Sequence, residues 1–529
     1  MFGKRREIKR AWRVLITSAM GASSGVASLA FNCPVAFVDP LIKEFGWRRA
    51  HVSASLGILT VAMFLVDAAR AMPNAASPAN AADFVNIYRD LVETDTTHNT
   101  GACTAASNKM LTRMKAAGFP ANDLHAYATA DHPKEGGLVA ILRSPNSGKS
   151  KGSSGAILLI AHIDVVDVAR ADWLRAPFAL IEDGGYFHGR GVSDNKAMAA
   201  ALVDMLIRFH REGYRPARDI KIALTCGEET ASAFNGAEYL ATQRRDLIAA
   251  DLALVPSGGA TLDAQGRPVS LTIQTGEKVQ QNFRIEAKGT ASHASRPTPD
   301  NAIYRLADAL ARISRYRFPV ELNPATRLYF ERTAATVDPA TASAIRGLLE
   351  NPADKQAEMI VSANPAWNGM LRNTCVATLL DAGQTANTVP ARAGANLNCR
   401  LLPAHDVAEI QDVLMKLIAD PEIALMPVLP IGSASVSPPI TSQVLEPITK
   451  LAKEIWPGVA IVPMMLTGAT DARHLNAVGI PAYGLTAVFN DPDGNGVHAA
   501  NERVRVKSVM DGREFVYRLV KVYADQATR

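Results

Sequence analysis

The chain is short of cysteine, of aromatic residues and of charge of one sign. Five of its 529 residues are cysteine (Cys33, Cys103, Cys226, Cys375 and Cys399), and no two of them stand in a C-x-x-C spacing. That excludes a disulfide scaffold and a structural zinc knot. Cys375 and Cys399 fall in two strand-like runs, NTCVATLL and ANLNCRLL, where a bridge and a pair of buried thiols are both compatible with the sequence. The net charge of +5 is not spread along the chain. Residues 1–71 hold ten Lys/Arg against four acids, so the remaining 458 carry 46 basic and 47 acidic groups. A body without surplus charge excludes a basic nucleic-acid-binding surface. After residue 71 there is no apolar run of about 20 residues, which excludes a multi-span transporter. What is present, 48% hydrophobic and 20% charged residues, is the profile of globular domains. At roughly 100–200 residues each, the length predicts two to four of them.

Two uncharged runs lie near the N-terminus. Val14–Val38, 25 residues behind a basic cluster, is long enough to cross a bilayer and is flanked as positive-inside orientation requires. Val52–Val66 follows Arg48 and Arg49 and leads to Ala69-Arg70-Ala71, the layout of a signal peptide with an A-x-A cleavage site. The stretch from Trp12 to Ile58, with PVAFVDPLIKEFGWRRAHVSASLGI, resembles the opening helix and first loop of a major facilitator transporter. Residues 1–71 therefore read as a leader, either a membrane span, a signal peptide or a fused start, and 72–82 as a polar linker. The expectation is an exported body, periplasmic or secreted, touching the membrane only through this leader.

In the body, strand-like and helix-like runs alternate. GLVAILRS, AILLIAHIDVV, KIALTCGEE and DLALVP are apolar, and between them Met198, Leu202, Met205, Leu206 and Phe209 recur at helical spacing. This β-α-β-α order predicts an α/β domain with a mostly parallel sheet, whose crevice lies at the carboxyl ends of its strands. Near Thr272 the register changes: QNFRIEAKG, a helix over 302–315, a Pro/Asn-rich polar insertion and further strands follow, down to about Pro430. The α/β pattern then resumes with a helix at 445–455, VAIVPMML and IPAYGLTAVF. The reading is a discontinuous catalytic domain, 83–271 and 431–529, interrupted by an α+β domain at 272–430. Gly148-Lys149-Ser150-Lys151-Gly152 matches a nucleophile elbow, but a strand follows it instead of a helix, so it reads as a loop.

Polar residues stand at the ends of four of these strands or helices. His162 closes LLIAH, with Asp164 two residues on and hence on the same side of an extended chain. Asp194 sits at a glycine-loosened helix start, where a plain N-cap is the bland alternative. Glu228 and Glu229 are adjacent after KIALTCG, and neighbouring carboxylates repel unless a cation or a proton compensates. His498 follows a Gly/Asp-rich turn.

Taken in order, HIDVV, GRGVSDNK, GEET, ASHASRP, ANTVP, GATDAR and HAANE closely resemble the M20 family of metallopeptidases, from about Phe84 onward. The resemblance implies a two-zinc site hydrolysing amide bonds of peptides or N-acyl amino acids, with cobalt or manganese as alternative metals. In it His162 holds one metal, Asp194 bridges both, and Glu229 and His498 hold the other. Glu228 is then the general base and Asp164 orients His162. The inserted domain matches the family's dimerisation and lid domain, which makes a homodimer the expectation. His293 matches the histidine that reaches a partner's active site, and Asn387 and Arg400 match substrate-contacting positions. Arg473 is a candidate carboxylate clamp, since an Arg fork donates two parallel hydrogen bonds. One departure stands out: where the family places a carboxylate, this chain reads Val255-Pro256-Ser257-Gly258. A neutral hydroxyl is a poor zinc ligand, so the His162 position is expected to be weaker. Ser257 also motivates a rival expectation, a catalytically weak relative that binds peptides or amino-acid conjugates.

Overall fold

The computed structural model describes residues 78–526 apart from 146, 148–154, 231–233 and 433–434. The leader readings at 1–71 fall outside the described residues, as does the loop at 148–152. No described helix is long and apolar enough to cross a membrane. The last part of the expected linker, 78–82, is helical instead: α1 (Pro78–Val92) begins inside it. Proline at a first helical position gives up no hydrogen bond, and the alanines after it favour helix.

Helix α2 (Cys103–Ala116) precedes strands β1 (Leu124–Tyr127), β2 (Gly137–Leu142) and β3 (Ile157–His162). Next come β4 (Ile181–Asp183), β5 (Tyr186–His188), α3 (Lys196–Arg211), β6 (Ile220–Thr225), α4 (Gly236–Gln243), β7 (Leu252–Val255), β8 (Gly259–Leu262) and β9 (Pro268–Glu277). The middle of the chain holds β10 (Val279–Lys288), β11 (Ser292–His293) and α5 (Ala302–Arg315). Four helices follow, α6 (Pro324–Thr333), α7 (Pro339–Glu350), α8 (Lys355–Ser362) and α9 (Pro365–Leu371). Then come β12 (Thr374–Ala382), β13 (Thr388–Val389), β14 (Arg392–Leu401), α10 (Val407–Ile418) and β15 (Ile423–Pro427). The last elements are α11 (Ser442–Ile455), β16 (Ala460–Leu466), α12 (Ala472–Ala477), β17 (Ala482–Gly484), β18 (Arg503–Arg505) and α13 (Val506–Asp525).

The large sheet runs β1-β2-β6-β3-β7-β17-β9-β16, with β8 on β9. Its centre, β6-β3-β7-β17, is parallel, and antiparallel strands flank it. Both faces are covered, so the central strands read as unbroken apolar runs. Leu138, Ala140, Ile157, Leu159 and Ala161 pack with residues of α1, α2, α3 and α13. The alternate residues Val139, Ile141, Leu158 and Ile160 pack with α4 and α12.

A second, antiparallel sheet, β12-β14-β10-β15, lies in the interrupting segment. Leu306, Ala309 and Ile313 of α5 and Ile410, Leu414 and Ile418 of α10 form its core with Phe283, Ile285, Ala395 and Leu397. The expected division at 272 falls inside β9, which stays in the large sheet to Glu277. Only Lys278 separates it from β10, so the run looks like one continuous strand and its residues do not reveal that it changes sheets. The Pro/Asn-rich insertion is also ordered, as α6–α9. Asn323, Asp338, Asp354 and Asn364 each cap a helix through the side chain, and three of the four helices open on proline. Cys375 and Cys399, neighbours across β12 and β14, are bridged. A second bridge, Cys103–Cys226, was not expected from the sequence.

Candidate metal centre

The carboxyl ends of β3 and β6 bring the polar motifs together. Parallel neighbours in register pair His162 with Thr225, so the residues after each strand emerge side by side. The buried His162 ring has Nδ1 3.2 Å from the Asp164 carbonyl and 3.6 Å from Asp164 Oδ1. On its other side Nε2 lies 3.2 Å from Asp194 Oδ1. Asp194 is not the helix cap: that position is Asn195, which makes no side-chain cap bond. The approach to Asp194 turns on Gly191 at φ 80°, where a Cβ would come within 2.7 Å of Val165.

The second half comes from the loop after β6. Gly227, at φ 91°, turns the chain where a Cβ would overlap the Phe234 carbonyl. The Glu229 amide donates to Asp164 Oδ2 at 3.0 Å. Glu229 Oε1 lies 3.0 Å from His498 Nε2, which is also 3.3 Å from Asp194 Oδ2. Ligand atoms of His162, Asp194 and Glu229 all lie within 4.8 Å of one another, and His498 joins them through the two carboxylates. Two imidazoles and two carboxylates form a donor set that a divalent metal accepts.

The charges show the same convergence. Burial disfavours the His162 imidazolium, yet hydrogen bonds to Asp164 and Asp194 outweigh it and hold its pKa well above the ordinary value. Asp194 and Glu229 push His498 up to about 10. Burial works against ionised Asp194, but His162 and His498 hold its carboxyl well below the usual range. Glu228 behaves differently. Burial is the main cause pushing it up to about 8, opposed by His162 and reinforced by the charges of Asp471, Glu229 and Asp164. A carboxyl raised in this way can hold and release a proton near neutral pH.

Residues 158–522 match the sequence model of Peptidase family M20/M25/M40. The chain belongs to that family. It is 26% identical to human N-fatty-acyl-amino acid synthase/hydrolase PM20D1 over 373 residues, covering 69% of this chain and 73% of that protein. It is likewise 26% identical to the probable carboxypeptidase S-like 2 of Dictyostelium discoideum over 377 residues, covering 69% and 71%. The solved M20 metallo-carboxypeptidase Sso-CP2 of Sulfolobus solfataricus superposes with a TM-score of 0.61 at 19% identity, covering 83% of this chain and 99% of that one. As an M20 member the chain is a metal-dependent hydrolase of amide bonds.

The remaining M20-type positions form two further groups. Exposed His293 pairs with Thr388 on the β11–β13 ladder, and the Ala294 amide donates to the Asn387 carbonyl at 2.9 Å. Among the described residues, no hydrogen bond or ion pair links this ladder to the His162 cluster. Arg400, half-buried on β14, lies near enough to Arg473 for that charge, after burial, to depress its pKa. Arg400 Nε donates to Asn398 and Arg473 Nε to His474 Nε2. Neither guanidinium makes an ion pair among the described residues, so the ordinary salt-bridge reading fails for both.

Ser257 stands just past β7, and its hydroxyl is bonded to Gln274 Oε1. Gln274 donates in turn to Glu277 at 3.0 Å and to Thr470 at 3.3 Å. The hydroxyl is thus neutral and already engaged, and it does not fit the last ligand of a second metal. Sequence reasoning assigned no role to Glu502, although HAANE contains it. Glu502 is buried and accepts hydrogen bonds from Arg190, Gly191, Ser193 and Asp194. Asp471, in GATDAR, accepts from Thr225 and Asn235 at 3.0 Å each and so braces the loop that leads to Glu228.

Proposed function

We propose that this hydrolase acts on N-acyl amino acids or short peptides with a free carboxylate, using zinc. The carrying observation is the convergence of His162, Asp194, Glu229 and His498 on one point beside the half-buried Glu228. His162, Asp194, Glu229 and His498 would hold a divalent metal there, which would supply Lewis-acid polarisation of the scissile carbonyl and a more acidic water. Glu228 takes the proton of that water and passes it to the leaving nitrogen, and Asp164 holds the His162 ring. Arg400 and Arg473, which lie near each other and make no ion pair among the described residues, bind the substrate carboxylate as a fork. His293 and Asn387 act from the lid domain, His293 in the active site of the partner subunit. Asp194, Glu229 and His498 form the stronger metal position, and the position beside His162 is one carboxylate short at Ser257. Cobalt or manganese satisfies the same donors.

The active form we propose is a homodimer. Strand β12 is a sheet edge bearing exposed Val376, Leu379 and Leu380, the kind of edge that a second copy covers. Two disulfides favour an oxidising, exported location, with the leader at 1–71 as the export or anchoring signal.

The test is a screen of N-acyl amino acids and dipeptides, free and carboxyl-amidated, with Zn²⁺, Co²⁺ or Mn²⁺ added to metal-stripped protein. Metal-dependent release of free amino acid from the free acids alone is the expected result. Cleavage that ignores the carboxylate would refute the Arg400–Arg473 reading. Ser257 favours a second reading, a weak hydrolase that mainly binds its ligands, and binding without product formation would establish it.

A further inference from the structure

Asp194 and His498 reach the metal centre from two loops distant in sequence, and neither loop is regular secondary structure. Their spacing therefore has to be set by tertiary contacts. His498 and Asn501 both adopt left-handed backbone, at φ 62°, a conformation that non-glycine residues hold only when neighbours impose it. The neighbours are identifiable. The Leu174 amide donates to Asn501 Oδ1 at 2.8 Å, and Arg190 Nη2 donates to the Ala499 carbonyl at 2.9 Å. On the Asp194 side, the Tyr88 hydroxyl donates to the Val192 carbonyl at 2.5 Å.

One side chain joins the two loops. Glu502 lies four residues beyond His498 and is 1% exposed. Its Oε1 accepts the Ser193 amide at 2.7 Å and the Asp194 amide at 3.1 Å. Its Oε2 accepts the Gly191 amide and Arg190 Nη1, both at 2.8 Å. Its own carbonyl accepts the Gly189 amide at 3.2 Å. Both oxygens are fully used, all four side-chain acceptor contacts point at the 190–194 segment, and one of them grips the amide of Asp194 itself. Sealed from solvent, such a group fixes the distance between the loops, because no water is available to replace a lost contact.

We infer that Glu502 is a positioning residue: its carboxylate sets the spacing of Asp194 and His498 and thereby the affinity for the metal. The inference rests on the metal-centre reading above. An amide in its place keeps the shape but turns an NH₂ toward two donors, so the loops separate at that point. Partners that orient metal ligands typically change affinity by about 10- to 100-fold.

The experiment measures zinc retention by the full chain against a competing chelator, for wild type, Glu502→Gln, Glu502→Asp and Asp204→Asn. Asp204→Asn is the control. It breaks the buried Asp204–Arg513 pair (2.6 Å) between α3 and α13 and so destabilises the same domain away from the centre. Melting of each protein in excess chelator gives its stability without metal. Zinc affinity falling about 10- to 100-fold in Glu502→Gln, less in Glu502→Asp, and not in Asp204→Asn is the expected pattern. Should Glu502→Gln not fold, Glu502→Asp carries the comparison. Wild-type retention by the folded Glu502 variants, or an equal loss in Asp204→Asn, would overturn the proposal. Wild-type protein that holds no zinc would instead overturn the metal-centre reading itself.

Discussion

The Glu229 amide donates a 3.0 Å hydrogen bond to Asp164 Oδ2, while the other oxygen of Asp164 faces His162 Nδ1 at 3.6 Å. One buried carboxylate thus lies against the His162 imidazole and pins the loop that carries Glu228. The proposed acid–base group and the proposed metal ligand His162 are contacted by the same residue, so they are expected to shift together.

Replacing Glu228 with alanine separates chemistry from binding. Its carboxyl is the proposed proton carrier and not a proposed ligand, so kcat should fall by about 10²- to 10⁴-fold, the usual weight of general acid–base catalysis. Metal content, measured by elemental analysis, should not change.

Ser257→Glu restores a carboxylate where the family has one. Bound zinc per chain should rise toward two equivalents, from a lower value in the wild type. A wild-type protein already holding two tightly bound ions would disprove the weakened position.

Arg473→Ala and Arg400→Ala each remove one arm of the proposed carboxylate fork. A hydrogen bond to a charged group is worth about 1.5–3 kcal/mol, or roughly 10- to 100-fold in affinity. KM for free-acid substrates should rise by that factor with kcat little affected, and amidated analogues should be insensitive.

Glu277 gives a pH signature. Its Oε2 accepts from both donors of Thr470 and from Gln274, its Oε1 has no hydrogen-bond partner among the described residues, and burial pushes it up to about 7 from an ordinary 4.5. Between those values the folded chain keeps a proton that the unfolded chain has released. The group therefore removes stability as pH rises through this window. Glu277→Gln should gain Tm relative to wild type at pH 8, and the gain should shrink toward pH 5. An identical difference at both pH values would count against the shift.

Much of the centre was legible because it sits where parallel strands end. Apolar runs such as LLIAH and KIALT fix the strand, and the polar residues just beyond can only face the crevice. The fit of M20 motifs to those ends identified His162, Asp194, Glu228, Glu229 and His498 as candidates. What stayed hidden depends on contacts distant in sequence. Nothing local to Cys103 or Cys226 points across the 123 residues that separate them. Glu502 reads as one more surface acid until the 190–194 segment closes over it. The change of sheet at Lys278 is invisible for a related reason, since β9 and β10 share one strand-like pattern. Three of the four helices of the Asn/Pro-rich stretch carried a readable signal in their Asn-Pro or Asp-Pro starts, and the fourth only in the Asp354 cap, signals which polar composition masked.

The Cys103–Cys226 bridge closes a covalent ring that contains both His162 and Asp194 and ends one residue before Gly227-Glu228-Glu229. A protease cut anywhere inside the ring therefore does not divide the molecule. The two pieces stay tied, migrate as one species without reductant, and separate into two only when a thiol opens the bridge.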